Sequence, residues 1–213
     1  MIIDIIKHGN LVFDVGANIG NKSKEYIAHG ARVVTFEPQE KCADICAQIH
    51  GIILERIALD EKKGENTIYE ASAHTLSSMS DNFIETVKKG RFMKYLWGKG
   101  MKVKTDTLDN MIEKYGMLSY IKIDVEGYEL NVLKGLTKPP KYISIEFTPE
   151  LLSKSLECID YLEKLGMKEY NYGYMEEKNF KFEWMNKEKI IEYLSSVKDY
   201  KIEFGDIYAR YDF

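Results

Sequence analysis

The chain has 213 residues, 45% of them hydrophobic, with 30 Lys and Arg against 34 Asp and Glu. That length suits one α/β domain with a full core, assigned to residues 1–213. The net charge of −4 argues against a nucleic-acid partner, which wants a basic face, and no apolar run approaches the roughly 20 residues of a membrane span. Three cysteines without a framework fit a reducing compartment, and a cytoplasmic protein is expected.

After a short lead-in, Ile2 to Lys7, the first apolar run is Leu11-Val12-Phe13, ending on Asp14. A glycine-spaced turn follows, Gly16-Ala17-Asn18-Ile19-Gly20, then a helix-length polar segment closed by Gly30. A second apolar run, Val33 to Phe36, ends on Glu37. Strand, glycine turn, helix, strand and terminal acid make the first βαβ unit of a nucleotide-binding sheet. Gly16 and Gly20 lack Cβ, so a ligand can approach the backbone closely. The helix N-terminus beyond them can hold a carboxylate. Glu37 stands at about the spacing at which an acid accepts from both hydroxyls of a ribose. Asn18 occupies the place of the second glycine of the dinucleotide fingerprint, the one that admits a pyrophosphate. A ligand with a ribose and a carboxylate but no pyrophosphate is therefore expected, and S-adenosylmethionine fits.

Pro38 suits the first turn of a helix, with Cys42, Ile45, Cys46 and Ile49 as its apolar face and Gly51 as its stop. Ile52 to Leu59 reads as a third strand. Residues 66–106 are irregular. Thr67 to Tyr69 is a short strand, and Ala71 to Ser80 is a small, polar loop containing His74. Asp81 caps a helix expected to run to Trp97, with Phe83, Val87, Met93 and Trp97 turned inward. This stretch reads as a cover over the ligand site. Lys102 to Thr105 is a strand, and Leu108, Met111, Ile112 and Tyr115 form a helical face.

Tyr120 to Asp124 is the fourth main strand. A helix with Leu130, Val132 and Leu133 follows the Glu126-Gly127 turn. Tyr142 to Phe147 is a fifth strand, and Thr148-Pro149 starts a helix to Leu165. The tail reads strand (Lys168 to Tyr174), helix (Lys187 to Val197) and strand (Ile202 to Tyr211), with room for an antiparallel edge pair. Strands alternating with helices imply a mostly parallel sheet covered on both faces. Ligands of such sheets bind beyond the carboxyl ends of the strands. Asp14, Glu37, Asp124 and Glu146 all end apolar runs and should line one rim. Lys122, inside a strand, needs a partner if buried; Glu146 on the neighbouring strand is one candidate, and an edge position reaching solvent is the other reading.

With these stretches in view, the chain resembles the FkbM family of S-adenosylmethionine-dependent methyltransferases. The resemblance rests on Phe13 to Gly20 with Phe36-Glu37-Pro38, Ile57 to Gly64, Thr107-Leu108-Asp109 and Ile121 to Gly127, continuing through Glu129, Leu130 and Leu133-Lys134-Gly135. Thr75 to Met79 is similar to a serine-rich segment of that family. The resemblance implies a three-layer, Rossmann-like class I methyltransferase fold: α/β, with a mostly parallel seven-stranded sheet and an antiparallel last strand. It implies methyl transfer to a hydroxyl, often on a sugar or glycosylated metabolite. Carried over by position, Asp14, Gly16, Asn18 and Gly20 hold the methionine part of the cofactor and Glu37 its ribose. Ala58 and Asp60 lie near the adenine, and Ser77 and Ser78 touch cofactor or substrate.

For the proton of the acceptor, Asp124 is the first candidate base and His74, in the irregular loop, the second. Asp124 with Glu126 or Glu146 would suit a hard cation, but no recognised ligand spacing supports one, and no residue is assigned to a metal. Three rivals share the fold class. An NAD-type oxidoreductase is disfavoured by Asn18. A nucleic-acid methyltransferase would show a strongly salt-dependent oligonucleotide affinity. A non-catalytic binding module would bind the cofactor without turnover.

Overall fold

The computed structural model describes residues 5–174, 180–197 and 204–211. Residues 2–4 of the expected lead-in and 202–203 of the expected last strand lie outside the described residues. In chain order the first half comprises β1 (Leu11–Val15), α1 (Asn21–Ala28), β2 (Arg32–Phe36), α2 (Glu40–Cys46) and β3 (Ile52–Glu55). Then come β4 (Ala58–Leu59), β5 (Gly64–Ile68), α3 (Asp81–Lys88), β6 (Met101–Asp106) and α4 (Leu108–Tyr115). The second half comprises β7 (Tyr120–Ile123), α5 (Glu129–Lys134), β8 (Tyr142–Phe147), α6 (Leu152–Lys164), β9 (Glu169–Tyr174), α7 (Lys187–Ser196) and β10 (Gly205–Arg210).

Seven strands form one sheet in the order β3-β2-β1-β7-β8-β10-β9. The β3, β2, β1, β7 and β8 neighbours pair in parallel, and β10 runs antiparallel to both β8 and β9. This is the α/β, three-layer, Rossmann-like class I methyltransferase fold, with its last strand reversed. The central strands are buried on both faces, which explains their nearly continuous apolar runs. On one face Phe13, Ile121, Ile143 and Ile145 pack with Leu108 and Met111 of α4, Val132 and Leu133 of α5 and Ile159 of α6. On the other, Val12, Val33, Tyr120 and Tyr142 pack with Tyr26 of α1.

That second face also carries a buried polar row. Register aligns Thr35, Asp14, Lys122 and Ser144 side by side across β2, β1, β7 and β8. The Ser23 hydroxyl from α1 donates to Asp14 Oδ2 at 2.6 Å and lies 2.8 Å from Thr35 Oγ1. Lys122 sits between two strands, not at an edge, and its ammonium donates to Asp124 Oδ2 at 2.6 Å. Its ion-pair partner is therefore Asp124 and not Glu146: side chains two apart on a strand share a face. Burial works against the Lys122 charge, but Asp124, Asp206 and Asp14 outweigh it and hold its pKa well above the ordinary value.

Four further expectations are corrected. Ile52 to Leu59 is two strands in two sheets. β3 edges the large sheet, while β4 leaves it after Arg56-Ile57 to pair in parallel with β6, which pairs antiparallel with β5. The helix after residue 80 ends at Lys88 instead of Trp97, and Ser80, not Asp81, caps it by accepting from Phe83 N at 3.1 Å. There the chain folds back through Gly90 N and Phe92 N, which both donate to Val87 O, and Met93 points outward at 75% exposure. In α2 the buried face is Cys42, Ala43 and Cys46; Ile45 is exposed, and Ile49 falls after the helix has ended. The helix expected from Thr148-Pro149 opens with a 3-10 turn (Pro149–Leu151) before α6 begins.

Candidate active site

The strand order reverses between β1 and β7, and at such a switch point an open α/β sheet has a crevice. A cleft enclosing about 810 Å³ of space, part of it open to solvent, lies there. Its lining comes from the carboxyl ends of β1, β2, β7 and β8, from Ile57, Ala58 and Leu59, and from the loop before α3.

The backbone makes one end of it. Gly16 and Ala17 both donate N–H to Phe36 O, and Asp124 N donates to Val15 O, so the turns after β1 and β7 are drawn together. A Cβ on Gly16 would lie 1.8 Å from the Asp124 carbonyl oxygen, and its φ is 78°, so only glycine fits. Asn18 also adopts a positive φ, 54°, which Asn tolerates better than most residues. That conformation turns Asn18 N toward Glu37 Oε2 at 2.8 Å, while Gln39 N donates to Oε1, also at 2.8 Å. Glu37 is only 2% exposed. Burial is the main cause that pushes its pKa up to about 7, against the pull of the two N–H donors.

Side chains make the other end. Asp124, Glu126 and Glu146 each offer a carboxylate oxygen within 4.8 Å of the other two. Burial and mutual repulsion hold the pKa of Glu126 and of Glu146 well above the usual carboxylate range. Glu146 Oε2 is shut off from solvent and has no hydrogen-bond partner among the described residues. These three residues could hold a hard divalent cation; equally, they could exchange protons with a bound hydroxyl. Glu129 shapes the loop beneath them, its Oε1 accepting from Val125 N and Gly127 N at 3.1 Å. Glu126 itself has a φ of 54°.

The loop between β5 and α3 closes the third side. Ser78 donates to Glu126 O at 2.6 Å and accepts from Ser80 N. Ser77 Oγ accepts from Ala71 N. Gln39 Nε2 donates to His74 O at 3.4 Å, tying the loop to the end of β2.

Of the residues expected at the site, Gly16, Asn18, Glu37, Ala58, His74, Ser77, Ser78 and Asp124 line the cleft together. His74 is exposed at its mouth. Asp14, Gly20 and Asp60 fall outside the lining. Asp14 is buried behind the turn on Ser23, and burial raises its pKa. Gly20 packs against Ile49 and Cys46, where a Cβ would lie 2.4 Å from Ile49 Cδ1. Asp60 accepts from Asn66 Nδ2 and the Tyr128 hydroxyl in a separate small recess. Glu126, expected only as a possible cation ligand, also lines it, and unforeseen lining residues include Gln39, Ile57, Leu59, Ile68, Thr75 and Met79. Glu126 was legible as an acid in the turn after β7; the apolar ones depend on β4 and β5 leaving the main sheet.

Several solved structures align with the chain at low identity. A precorrin-6y C5,15-methyltransferase from Geobacter metallireducens is 11% identical, with 99% of this chain and 85% of that one covered and a TM-score of 0.48. A precorrin 8w decarboxylase from Methanobacterium thermoautotrophicum is 10% identical, with 99% and 86% covered and a TM-score of 0.49. A SAM-dependent O-methyltransferase from Thermotoga maritima is 11% identical, with 99% and 62% covered and a TM-score of 0.46. No curated protein matches the sequence. The profile described as the methyltransferase FkbM domain, in contrast, matches residues 14–196, from the acid of β1 to the last residue of α7. Its span takes in both glycine turns, all three walls of the cleft, five whole strands of the large sheet and the end of β1, so the chain belongs to the FkbM family of S-adenosylmethionine-dependent methyltransferases.

Proposed function

We propose that the protein is an O-methyltransferase that moves a methyl group from S-adenosylmethionine to a hydroxyl of a small, sugar-like molecule. The observation that carries the cofactor half is Glu37, a buried carboxylate at the end of β2 whose two oxygens are each fixed by one backbone N–H. Each oxygen keeps a second lone pair, so the pair can accept from the two vicinal hydroxyls of a ribose. In this reading Gly16 and Asn18 hold the methionine end, and Ala58 with Ile57, Leu59 and Ile68 flanks the adenine. Asp14, Gly20 and Asp60 act from behind, by fixing the turn and the β4 end, and Ser77 and Ser78 hold the loop against the site.

When bound, the cofactor supplies a methyl already activated on a sulfonium. The protein then has to align the acceptor oxygen and receive its proton. Asp124 is the proposed base, with its Oδ2 engaged by Lys122 and its position on the cleft wall beside Glu126 and Glu146. His74 at the mouth is the second candidate. The amide, hydroxyl and carboxylate groups of Gln39, Thr75, Glu126 and Glu146 favour a polyhydroxylated acceptor over an apolar one. Calorimetric titration with S-adenosylhomocysteine, beside NAD and repeated on Glu37→Ala, tests the cofactor assignment. Binding of the first ligand alone, weakened by loss of Glu37, is expected. Folded protein that binds neither would overturn it. Sugar acceptors are then screened for S-adenosylhomocysteine release with and without magnesium; no turnover with any acceptor would favour a non-catalytic binding module.

A further inference from the structure

The excursion between α3 and β6 has a surface that the cleft does not require. From Lys88 to Lys104 the sequence holds seven Lys and Arg and no Asp or Glu, in a chain whose net charge is −4. Arg91 is engaged inward, its Nε 3.1 Å from Glu150 Oε1. Lys88, Lys89, Lys94 and Lys99 are exposed. Among them stand Met93 at 75% and Leu96 at 74% exposure, the two most exposed large hydrophobic residues of the described chain.

These two side chains are held on a built support. Phe92, Tyr95 and Trp97 are half-buried and pack on Phe83, Ile84, Val87 and Leu76. Trp97 Nε1 donates to Leu76 O at 2.9 Å, and Ser72 N donates to Leu96 O at 2.8 Å. Lys88 lies over the Trp97 ring and Lys94 over that of Tyr95. An anionic polymer would use the lysines and leave Met93 and Leu96 in water. A bilayer with anionic headgroups uses both: cations lie against the headgroups, aliphatic side chains enter the acyl boundary, and Tyr and Trp suit the interface between.

We propose that this face docks on an anionic lipid bilayer, with Met93 and Leu96 entering the interfacial layer and Lys88, Lys89, Lys94 and Lys99 against the headgroups. Trp97 is bonded to Leu76, and His74 and Thr75 of the same turn line the cleft. Docking therefore brings the mouth of the cleft to the membrane surface, where an acceptor carried by a lipid would be presented. That last step rests on the methyltransferase reading; the docking does not.

The test is co-sedimentation of the full chain with vesicles of phosphatidylcholine alone and of phosphatidylcholine with about one-third phosphatidylglycerol. Binding to the anionic vesicles only, weakening as salt rises, is expected. Met93→Ser with Leu96→Ser should weaken it roughly tenfold, and Lys89→Gln with Lys94→Gln roughly 25-fold. Calorimetry with S-adenosylhomocysteine on each variant checks the fold and keeps the two proposals apart, since unchanged affinity there is expected throughout. Failure to pellet with anionic vesicles overturns the docking. So does vesicle binding that is indifferent to the serine pair. Binding to an oligonucleotide as tight as to the vesicles, again indifferent to that pair, makes the face a general polyanion surface and overturns it as well.

Discussion

Glu37 and Glu146 both end a strand at the rim of one cleft, and burial raises the pKa of both. Their surroundings differ. Glu37 has each oxygen fixed by a backbone N–H at 2.8 Å, whereas Glu146 keeps a buried oxygen with no partner among the described residues and stands among other acids. The first arrangement is preorganised: the carboxylate is set before any ligand arrives, as suits an invariant group such as a ribose. The second is poised to change its protonation or its contacts, as suits a group that meets an acceptor. The backbone thus builds one half of the cleft and side chains the other.

The comparison can be broken hardest at its hinge. Gly16→Ala puts a Cβ against the Asp124 carbonyl at a positive φ, and a loss of about 4 kcal/mol is expected. Thermal unfolding should show a midpoint lowered by roughly 10 °C. Lys122→Met strikes the second half, leaving the buried Asp14 and Asp206 and the partly exposed Asp124 without their shared cation. About 3 kcal/mol should be lost in denaturant unfolding; an unchanged midpoint would mean those acids are protonated or solvated.

Glu37→Gln sharpens the contrast between the two ends. Its amide must set an NH2 against one of the two N–H donors and give up charge-assisted bonds, so S-adenosylhomocysteine should bind about 30-fold more weakly, near 2 kcal/mol. Glu146→Gln should leave that affinity within about twofold while slowing turnover. Equal weakening by both would erase the distinction. The smallest effect is pH. Glu37 and Glu129 titrate at about 7 in the fold, above the 4.5 of an unperturbed glutamate. Their protons are held by the folded state after the unfolded chain has released them. That contribution to stability is complete below about 4.5 and lost as pH rises through about 7, so the unliganded protein should melt lower at pH 8 than at pH 6. Ligand affinity should move the other way, tightening as Glu37 ionises, and the trend should vanish in Glu37→Gln.

The preorganised half was the more legible in sequence, because its determinants are local. Asp14 to Glu37 states a strand, a turn that only glycine permits, a helix and a terminal acid, all within one βαβ unit. The other half depends on choices of partner that a one-dimensional pattern does not carry. Ile52 to Leu59 reads as one strand with a charged pair, Glu55-Arg56, inside it, and only that pair marks where the chain leaves one sheet for another. Phe83 and Val87 fit a long helix, yet the aromatics after Gly90 pack from an irregular loop. A lysine inside a strand states a need for a partner or an edge, but the pattern does not say whether an acid across the sheet or Asp124, two residues on, supplies it.

The polar row of Thr35, Asp14, Lys122 and Ser144 also bears on how the sheet finds its pairing. Neighbouring positions on these strands are apolar on both faces, so hydrophobic patterning alone discriminates poorly between alignments shifted along the strands. A slip of β7 by one residue would turn the Lys122 ammonium into the layer of Phe13, Val15 and Ile143 and leave Asp14 opposite an isoleucine. Misaligned pairings of the growing sheet are thereby penalised, and the charged row serves as a key that fits one alignment of the four central strands.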